Sequence, residues 1–225
     1  MSNFKDCPKF STHDDFYTPK YAWGQIQNII NKDFRSENKP LKVFECFSYK
    51  SNEQSIKHLT DLGYNVIGNK KIDYLDNNTW NQEMINGDYD LVLSNPPFQK
   101  ISSFKRRHES LKYQCIEKLI RVDKPFIILM NSTNIFSKWF QFLIKNCQTD
   151  IKFIYPTSKI NYDKYEEGGV NKIISKSQYL KSLKKKVKQL TPEEKQIYDN
   201  KETLKSAAFN SVYVCYKSIK TNHWI

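Results

Sequence analysis

The sequence has few of the features that mark secreted, membrane-spanning or metal-binding proteins. Its five cysteines are scattered and form no Cys-x-x-Cys pair, so they indicate neither a zinc site nor a disulfide framework, and its four histidines are equally dispersed. No stretch approaches the roughly 18 consecutive apolar residues of a membrane span. Residues 1–15 are polar and lack the apolar region of a signal peptide. We therefore expect a protein of the cytoplasm or nucleus, not secreted, with no metal and no membrane partner.

Acidic residues are scarce relative to basic ones. The 225 residues include 36 Lys and Arg against 24 Asp and Glu, which gives a formal net charge of +12. Two segments hold most of this surplus: residues 100–124 carry eight basic and three acidic side chains, and residues 157–208 carry twelve and seven. A positive surplus attracts polyanions, and its clustering predicts a nucleic-acid partner.

Helical and strand-like patterns alternate along the chain. Apolar residues at helical spacing predict helices at about 19–31, 53–62, 104–121 and 136–147. Short apolar runs predict strands at 41–47, 65–68, 91–94, 126–130, 151–155 and 212–216, while residues 72–76 fit either a strand or a strand-to-loop edge. Strands separated by helices pair in parallel through crossovers, which predicts an open α/β sheet. Ligands bind such sheets at the carboxyl ends of the strands.

Residues 157–208 interrupt this alternation. A helical pattern there is interleaved with Lys184, Lys185 and Lys186, and the run from Thr191 to Glu194 has the spacing of a capping box, which starts a helix. We interpret the segment as a basic helical insertion within a single domain of residues 1–225, too small to have a core of its own.

The strand at 91–94 runs directly into Asn95-Pro96-Pro97-Phe98. Proline has no N–H and a fixed φ, so the two prolines cannot continue a strand ladder, and Pro96 pushes Asn95 towards an extended conformation. A stiff backbone therefore holds a carboxamide, which donates and accepts hydrogen bonds, close to a flat ring. This combination suits a planar nitrogenous substrate. A simple strand-ending turn is the alternative interpretation, because Asn and Pro are common in turns.

Three motifs in this order give the chain a family resemblance. Tyr17-Thr18-Pro19 precedes the first strand of the sheet, Glu45 and Phe47 end that strand, and Asn95–Phe98 follow the fourth. The chain thereby resembles class I S-adenosylmethionine-dependent methyltransferases, and more narrowly the Asn-Pro-Pro-Phe amino-methyltransferases that act on adenine in DNA or RNA. The resemblance implies a Rossmann-like α/β fold with a mostly parallel seven-stranded sheet, helices on both faces and an antiparallel last strand.

The resemblance also implies roles for individual residues. It implies catalysis by Asn95, Pro96, Pro97 and Phe98, in which the Asn95 side chain and the Pro96 carbonyl accept hydrogen bonds from the target amine and Phe98 stacks on the base. It implies S-adenosylmethionine as the cofactor, bound by Tyr17, Thr18, Pro19, Glu45, Phe47, Asp73 and Ser94. Basic side chains beyond Phe98 and in the insertion are expected to contact a nucleic-acid backbone, namely Lys105, Arg106, Arg107, Lys184, Lys185 and Lys186.

Two departures from the family pattern keep other functions open. Residues 48–52 contain no glycine where the family has a glycine-rich loop, and Asn69-Lys70-Lys71 stands where an acidic residue is expected after the second strand. Either Asp73 or Asp76 supplies the cofactor contact that the missing acidic residue would make, or this chain has lost cofactor binding. The leading hypothesis is an active adenine-N6 methyltransferase. The alternatives are a catalytically degenerate nucleic-acid-binding partner subunit, and methylation of guanine N2 in RNA or of a protein glutamine.

Overall fold

The fold is described by a computed structural model over residues 16–34, 39–47, 54–68, 87–96, 111–145, 147, 150–160, 162–166, 169–171, 180, 183–200 and 210–225. Its strands are β1 (Phe16–Tyr17), β2 (Lys42–Phe44), β3 (Asn65–Ile67), β4 (Leu91–Ser94), β5 (Phe126–Asn131), β6 (Ile151–Tyr155), β7 (Asp163–Glu166), β8 (Gly169–Asn171), β9 (Ser211–Tyr216) and β10 (His223–Trp224). Its α-helices are α1 (Lys20–Phe34), α2 (Gln54–Thr60), α3 (Leu111–Val122), α4 (Lys138–Ile144) and α5 (Pro192–Asn200). Single 3-10 turns occur at Ser132–Asn134 and Val187–Gln189.

The chain divides into two compact units. The first includes Thr18–Ile160 and Phe209–Ile225, and the second consists of Asp15–Tyr17 and Asn161–Ala208. Within the described ranges, each helix is too short or too polar to cross a lipid bilayer.

A seven-stranded sheet forms the centre of the first unit, in the order β10-β6-β9-β5-β4-β2-β3. Parallel pairs join β3 to β2, β2 to β4, β4 to β5 and β6 to β10. Strand β9 lies between β5 and β6 and is antiparallel to both. The sheet is therefore Rossmann-like and mostly parallel, as in the methyltransferase fold, and the predicted fold class is confirmed.

Strand β10 departs from the predicted strand list. It adds the seventh strand beside β6, whereas residues 72–76, one of the predicted strand segments, lie outside the described residues. Its two residues, His223 and Trp224, are too few to show the alternation by which a strand is recognised. Pairing with β6 forms this strand, and such pairing is a tertiary contact that local sequence does not encode.

The core of the first unit lies on both faces of the sheet. Alternate residues of β5 and β9 pack with α3 and α4 on one face, among them Phe126, Ile128, Val212 and Val214. Because side chains alternate along a strand, Tyr213 points to the opposite face. There its ring lies 6.0 Å from the ring of Trp23 in α1, and its hydroxyl donates to the carbonyl of Ala22. Helices therefore cover both faces, as predicted.

The second unit contains more than the helices predicted for residues 157–208. Strands β1, β7 and β8 form a separate three-stranded antiparallel sheet, which the sequence patterns do not predict. The predicted capping box is confirmed at the start of α5. The Glu194 amide donates to Thr191 Oγ1 at 3.2 Å, and the Thr191 amide donates to Glu194 Oε2 at 2.8 Å. These two bonds satisfy N–H groups that the first turn of a helix leaves without partners.

Candidate active site at the carboxyl edge

Strands β2, β3, β4, β5 and β6 run in one direction, so all five end at one edge of the sheet, called here the carboxyl edge. Central strand β4 is buried along its whole length and ends there at Ser94. Asn95 follows, and then Pro96, which is buried. The fold therefore places the start of the Asn-Pro-Pro segment where open α/β sheets bind their ligands.

The carboxamide oxygen of Asn95 has no hydrogen-bond partner among the described residues. Its Oδ1 atom is buried, and within the described part of the chain nothing donates to it. A buried acceptor without a partner costs about 1–3 kcal/mol. Such exceptions in folded proteins call for an explanation, and a ligand that supplies the missing donor is one. This oxygen is thus placed to accept a hydrogen bond from an N–H group that enters the carboxyl edge.

Glu45 and Ser94 connect the ends of β2 and β4. Both residues are buried, at 2% and 0% exposure, and Ser94 Oγ donates to Glu45 Oε1. The Phe47 amide donates to the same oxygen at 3.0 Å. The Phe47 side chain is half-buried and packs against the core. The contacts seen for Glu45 therefore fix the backbone around Asn95, and its predicted cofactor contact stays a prediction.

The carboxyl group of Glu45 has a perturbed pKa. Burial raises the pKa from its ordinary 4.5 to about 7, because the charged form loses its hydration. Hydrogen bonds from Ser94, the Phe47 amide and Ser55 act in the opposite direction and stabilise the charged form. Desolvation is the larger effect, so Glu45 exchanges a proton near neutral pH while fully enclosed.

The segment Thr18-Pro19 enters the site from the start of α1. In the first turn of this helix the carbonyl of Pro19 accepts a hydrogen bond from Ala22 N at 3.0 Å, while Thr18 Oγ1 is buried and has no partner among the described residues. The Thr18 carbonyl lies 3.0 Å from His58 Nδ1. A carbonyl only accepts, so Nδ1 carries the proton, and in the neutral ring Nε2 accepts from Gln54 Nε2 at 2.7 Å.

Helix α2 joins these pieces into one site. His58 holds the Thr18 backbone, and Ser55 donates to Glu45, which in turn binds Ser94 beside Asn95. The structure therefore brings together four predicted site residues that are far apart in the sequence, namely Thr18, Glu45, Ser94 and Asn95. The roles of Gln54, Ser55 and His58 were not predicted. Their only sequence signal is a pair of polar residues four apart on a short helix, which is too common to indicate a site.

Gly68 allows the ends of β2 and β3 to approach closely. A Cβ atom at this position would lie 2.8 Å from the carbonyl oxygen of Glu45 and 3.1 Å from Ile56. Real Cβ atoms do not occur that near to backbone, so any other residue would push the two strand ends apart. The Glu45 amide donates to the Ile67 carbonyl at 2.8 Å, which holds the same strand ends together.

Several predicted site residues lie outside the described residues, namely Asp73, Pro97, Phe98, Lys105, Arg106 and Arg107. The same holds for the glycine-free loop at residues 48–52. Tyr17 is described by its backbone, which pairs with Asp163 in the second unit. The predicted roles of all these residues stay predictions.

The three predicted nucleic-acid-binding lysines of the second unit differ in their surroundings. Lys185 Nζ lies 2.6 and 2.8 Å from the two carboxylate oxygens of Glu194, so its charge is neutralised within the unit. Lys184 and Lys186 are exposed. Lys184 has a φ of 52°, in the left-handed region. Of the three, Lys184 and Lys186 are therefore the ones available to a polyanion.

Metal-ligating side chains do not cluster in the described part of the chain. No group of three or more His, Cys, Asp or Glu residues is arranged there to hold a metal ion. Four of the cysteines, Cys46, Cys115, Cys147 and Cys215, are buried thiols.

Comparisons with known proteins return structural similarity alone. Neither a family model nor a curated protein matches the sequence. Among solved structures, the chain is similar to a candidate class I S-adenosylmethionine-dependent methyltransferase from Listeria monocytogenes, with 10% sequence identity and a TM-score of 0.47. The match covers 72% of this chain and 60% of that protein.

Proposed function

We propose that the chain transfers a methyl group from S-adenosylmethionine to an exocyclic amine of a nucleic-acid base, with adenine N6 in DNA or RNA as the target. The observation that carries the proposal is the buried carboxamide oxygen of Asn95 at the carboxyl edge, which has no partner within the part of the chain that the structure describes. A target N–H would supply the donor that this oxygen lacks. The net charge of +12 supports a polyanionic substrate over a protein one.

The residues around Asn95 fit the proposed cofactor. Thr18 Oγ1 is buried at the same edge and no described residue bonds to it, and a hydroxyl can donate to a carboxylate or accept from an ammonium, both of which S-adenosylmethionine carries. When bound, S-adenosylmethionine supplies a methyl group already activated by its positively charged sulfur. Tyr17, Thr18, Pro19, Glu45, Phe47, Asp73 and Ser94 are the residues proposed to hold it.

The proposed chemistry depends on hydrogen-bond acceptors. The lone pair of an exocyclic amine is delocalised into the ring, which makes the nitrogen a weak nucleophile. Asn95 Oδ1 and the Pro96 carbonyl would each accept one amine hydrogen, which favours a pyramidal nitrogen with its lone pair free to attack. The chain then contributes orientation and charge placement more than proton transfer. Pro97 and Phe98 would complete the loop, with Phe98 stacked on a base that has left its duplex or was single-stranded.

Methyl transfer to defined oligonucleotides tests the proposal. The purified chain is incubated with labelled S-adenosylmethionine and single-stranded DNA or RNA whose amine-bearing base is adenine, guanine or cytosine alone. We expect label in the adenine oligonucleotide and none in a version already methylated at N6. Asn95→Ala should abolish the label. Asn210→Ala, an exposed residue whose described contact is through its backbone carbonyl, is the matched control and should retain it.

A catalytically degenerate partner subunit is the second candidate. The observation in its favour is Glu45, whose carboxylate is buried and accepts hydrogen bonds from Ser94 and the Phe47 amide instead of facing a ligand. Under this function the chain binds oligonucleotides but transfers no label to any of them. Label in the guanine oligonucleotide alone would instead favour guanine N2 as the target amine.

A further inference from the structure

A pair of stacked aromatic rings, one exposed and one half-buried, lies at the far end of the carboxyl edge. The Trp224 ring in β10 stacks on the Tyr155 ring in β6, with centroids 4.5 Å apart and planes 23° from parallel. Trp224 is nevertheless 74% exposed, so Tyr155 covers one face of the indole and leaves the other to solvent. We call these two residues the ring pair.

The ring pair is held rigidly. Trp224 is paired with Tyr155 across the β6–β10 ladder, and the amide of Ile225 donates to the Tyr155 carbonyl at 3.0 Å. The Asn222 side chain accepts from the Phe153 amide at 2.8 Å and anchors the other end of the short strand. An indole fixed in this way has already lost the side-chain freedom that a ligand would otherwise have to remove.

The ring pair and Asn95 are at the same edge of the sheet. Strand β6 is antiparallel to β9, which is antiparallel to β5, so β6 ends where β4 and β5 end. Four strand spacings separate β4 from β10, which is about 19 Å at roughly 4.8 Å each. Phe136, which is 80% exposed, follows the end of β5, a strand that lies between β4 and β10 in the sheet.

The surroundings of the ring pair favour a nucleotide over an apolar peptide. The residues that follow Tyr155 at this edge include Thr157 and Ser158, which are exposed and polar. Every nucleobase has a π-face that stacks on such a ring, and single-strand-binding proteins combine stacking rings with positive charge. The net charge of +12 supplies that charge over the molecule as a whole.

We propose that the ring pair is a stacking site for an unpaired base of a single-stranded nucleic acid whose target base lies at Asn95, a few nucleotides away on the same strand. The inference rests on the proposed function for the placement of the target base. The stacked base itself undergoes no reaction. The site would select single-stranded substrates, or unpaired segments, that are long enough to reach both positions.

Oligonucleotide binding by ring variants tests this site. Equilibrium binding of labelled single-stranded oligonucleotides of roughly nine nucleotides and of trinucleotides is measured for the intact chain and for Trp224→Ala. Loss of one stacking contact should weaken binding of the longer strand by about tenfold or more and leave the trinucleotide unchanged. Trp224→Phe keeps a ring and should retain most of the affinity.

Phe142→Ala is the matched control. Phe142 is 65% exposed and stacks on Trp139 with centroids 5.3 Å apart, but it lies within α4, away from the carboxyl edge. Its loss should leave both affinities unchanged. Equal effects of the Phe142 and Trp224 variants, or an apolar peptide that competes for the site while oligonucleotides do not, would overturn the proposal.

Fluorescence separates base stacking from a structural role of Trp224. A base stacked on the indole should quench tryptophan emission when the long oligonucleotide binds, and this quenching should be lost in Trp224→Phe, which still binds. Unaltered quenching in that variant would contradict stacking. Because these measurements need no methyl transfer, Trp224-dependent binding without transfer would count against the proposed function alone. Transfer that is indifferent to Trp224 on long substrates would count against the ring pair alone.

Discussion

At the scale of single residues, the carboxyl edge contains polar groups that the fold leaves poorly accommodated. Asn95 Oδ1 and Thr18 Oγ1 are buried and lack partners in the described ranges, and Glu45 is an enclosed carboxyl group. Each of these costs stability, since buried polar groups without partners and buried charges are both unfavourable. Features of this kind concentrate where a protein binds or transforms a ligand, so they are expected to limit stability and to serve function.

Asn95→Ala should separate the effect of the Asn95 carboxamide on stability from its effect on methyl transfer. The substitution removes a buried acceptor that has no donor, so we expect the free energy of unfolding to stay within about 1 kcal/mol of the original or to rise. Methyl transfer should be lost in the same variant. Urea denaturation provides the measurement. A decrease of more than about 2 kcal/mol in the free energy of unfolding would show that the carboxamide has a structural partner. Its oxygen would then not be free to accept a hydrogen bond from a ligand.

Glu45→Gln should change how stability depends on pH. The folded chain holds the Glu45 proton up to a pKa of about 7, whereas the unfolded chain releases it near 4.5. The folded state therefore binds more protons between these values. Its stabilising contribution is complete below about pH 4.5 and is lost as the pH rises through about 7.

This loss should be on the order of 3 kcal/mol between about pH 5 and about pH 8, and the glutamine variant should not show it. Denaturation at the two pH values measures the difference. Glu117→Gln in α3, where Glu117 pairs with Arg121 at the surface, is the control and should keep the original pH dependence. An identical pH dependence in the Glu45→Gln variant and the original chain would show that Glu45 titrates normally.

At the scale of helices and strands, the two strand ends beside the site depend on a residue without a side chain. Gly68 lets β3 approach the Glu45 carbonyl, whereas Gly24 in α1 has ordinary room, since a Cβ there would lie 3.8 Å from Leu62. Substitution by alanine at these two glycines should therefore have opposite effects on the free energy of unfolding.

Gly68→Ala should lower the free energy of unfolding by more than about 1 kcal/mol, because the new Cβ meets backbone that cannot move without separating β2 from β3. Gly24→Ala should raise it by about 0.5–1 kcal/mol, since alanine is the better helix former. Denaturation of both variants under one condition is the measurement. A neutral Gly68→Ala variant would contradict the close approach of the two strands.

Most elements could be predicted from the sequence, because each has a local pattern. The apolar run of β4 and the helical spacing of α1 are examples, and the capping box at Thr191 and Glu194 fixed the start of α5. The hairpin of β7 and β8 was missed because it has no run of apolar residues and alternates weakly. Strand β10 was missed because it exists only through its pairing with β6.

Part of the candidate site could be predicted, because some of its residues form a local sequence pattern. Asn95 and Pro96 stand out locally, as a carboxamide before prolines at the end of a strand. The bond between Ser94 and Glu45, and the one between His58 and Thr18, join residues 49 and 40 positions apart. No local pattern encodes either contact, so the function of Glu45 as a connection between strands became visible only in the structure.

At the scale of the whole molecule, the positive surplus should make binding of nucleic acids dependent on salt. In the second unit, Lys184 and Lys186 are exposed while Lys185 pairs with Glu194. The two exposed lysines can release counterions from a strand, whereas Lys185 has an internal partner. Their contributions to affinity should therefore differ, although the three residues are adjacent.

The double variant Lys184→Ala, Lys186→Ala should bind single-stranded oligonucleotides more weakly, and the slope of log affinity against log salt should become shallower by about 1.4, or about 0.7 for each lost phosphate contact. Lys185→Ala is the matched control. It should leave the slope unchanged and instead weaken the connection to α5. Titrations at several salt concentrations give the slopes. Equal slopes for all variants would show that this segment does not contact the strand.

Calorimetric titration of the intact chain with S-adenosylmethionine tests the central claim most directly. If the carboxyl edge around Thr18, Glu45 and Asn95 binds the cofactor for methyl transfer, a saturable heat with one site per chain is expected, in the presence or absence of an adenine oligonucleotide. No heat at millimolar cofactor, with and without the oligonucleotide, would contradict the account and leave a nucleic-acid-binding subunit without catalysis.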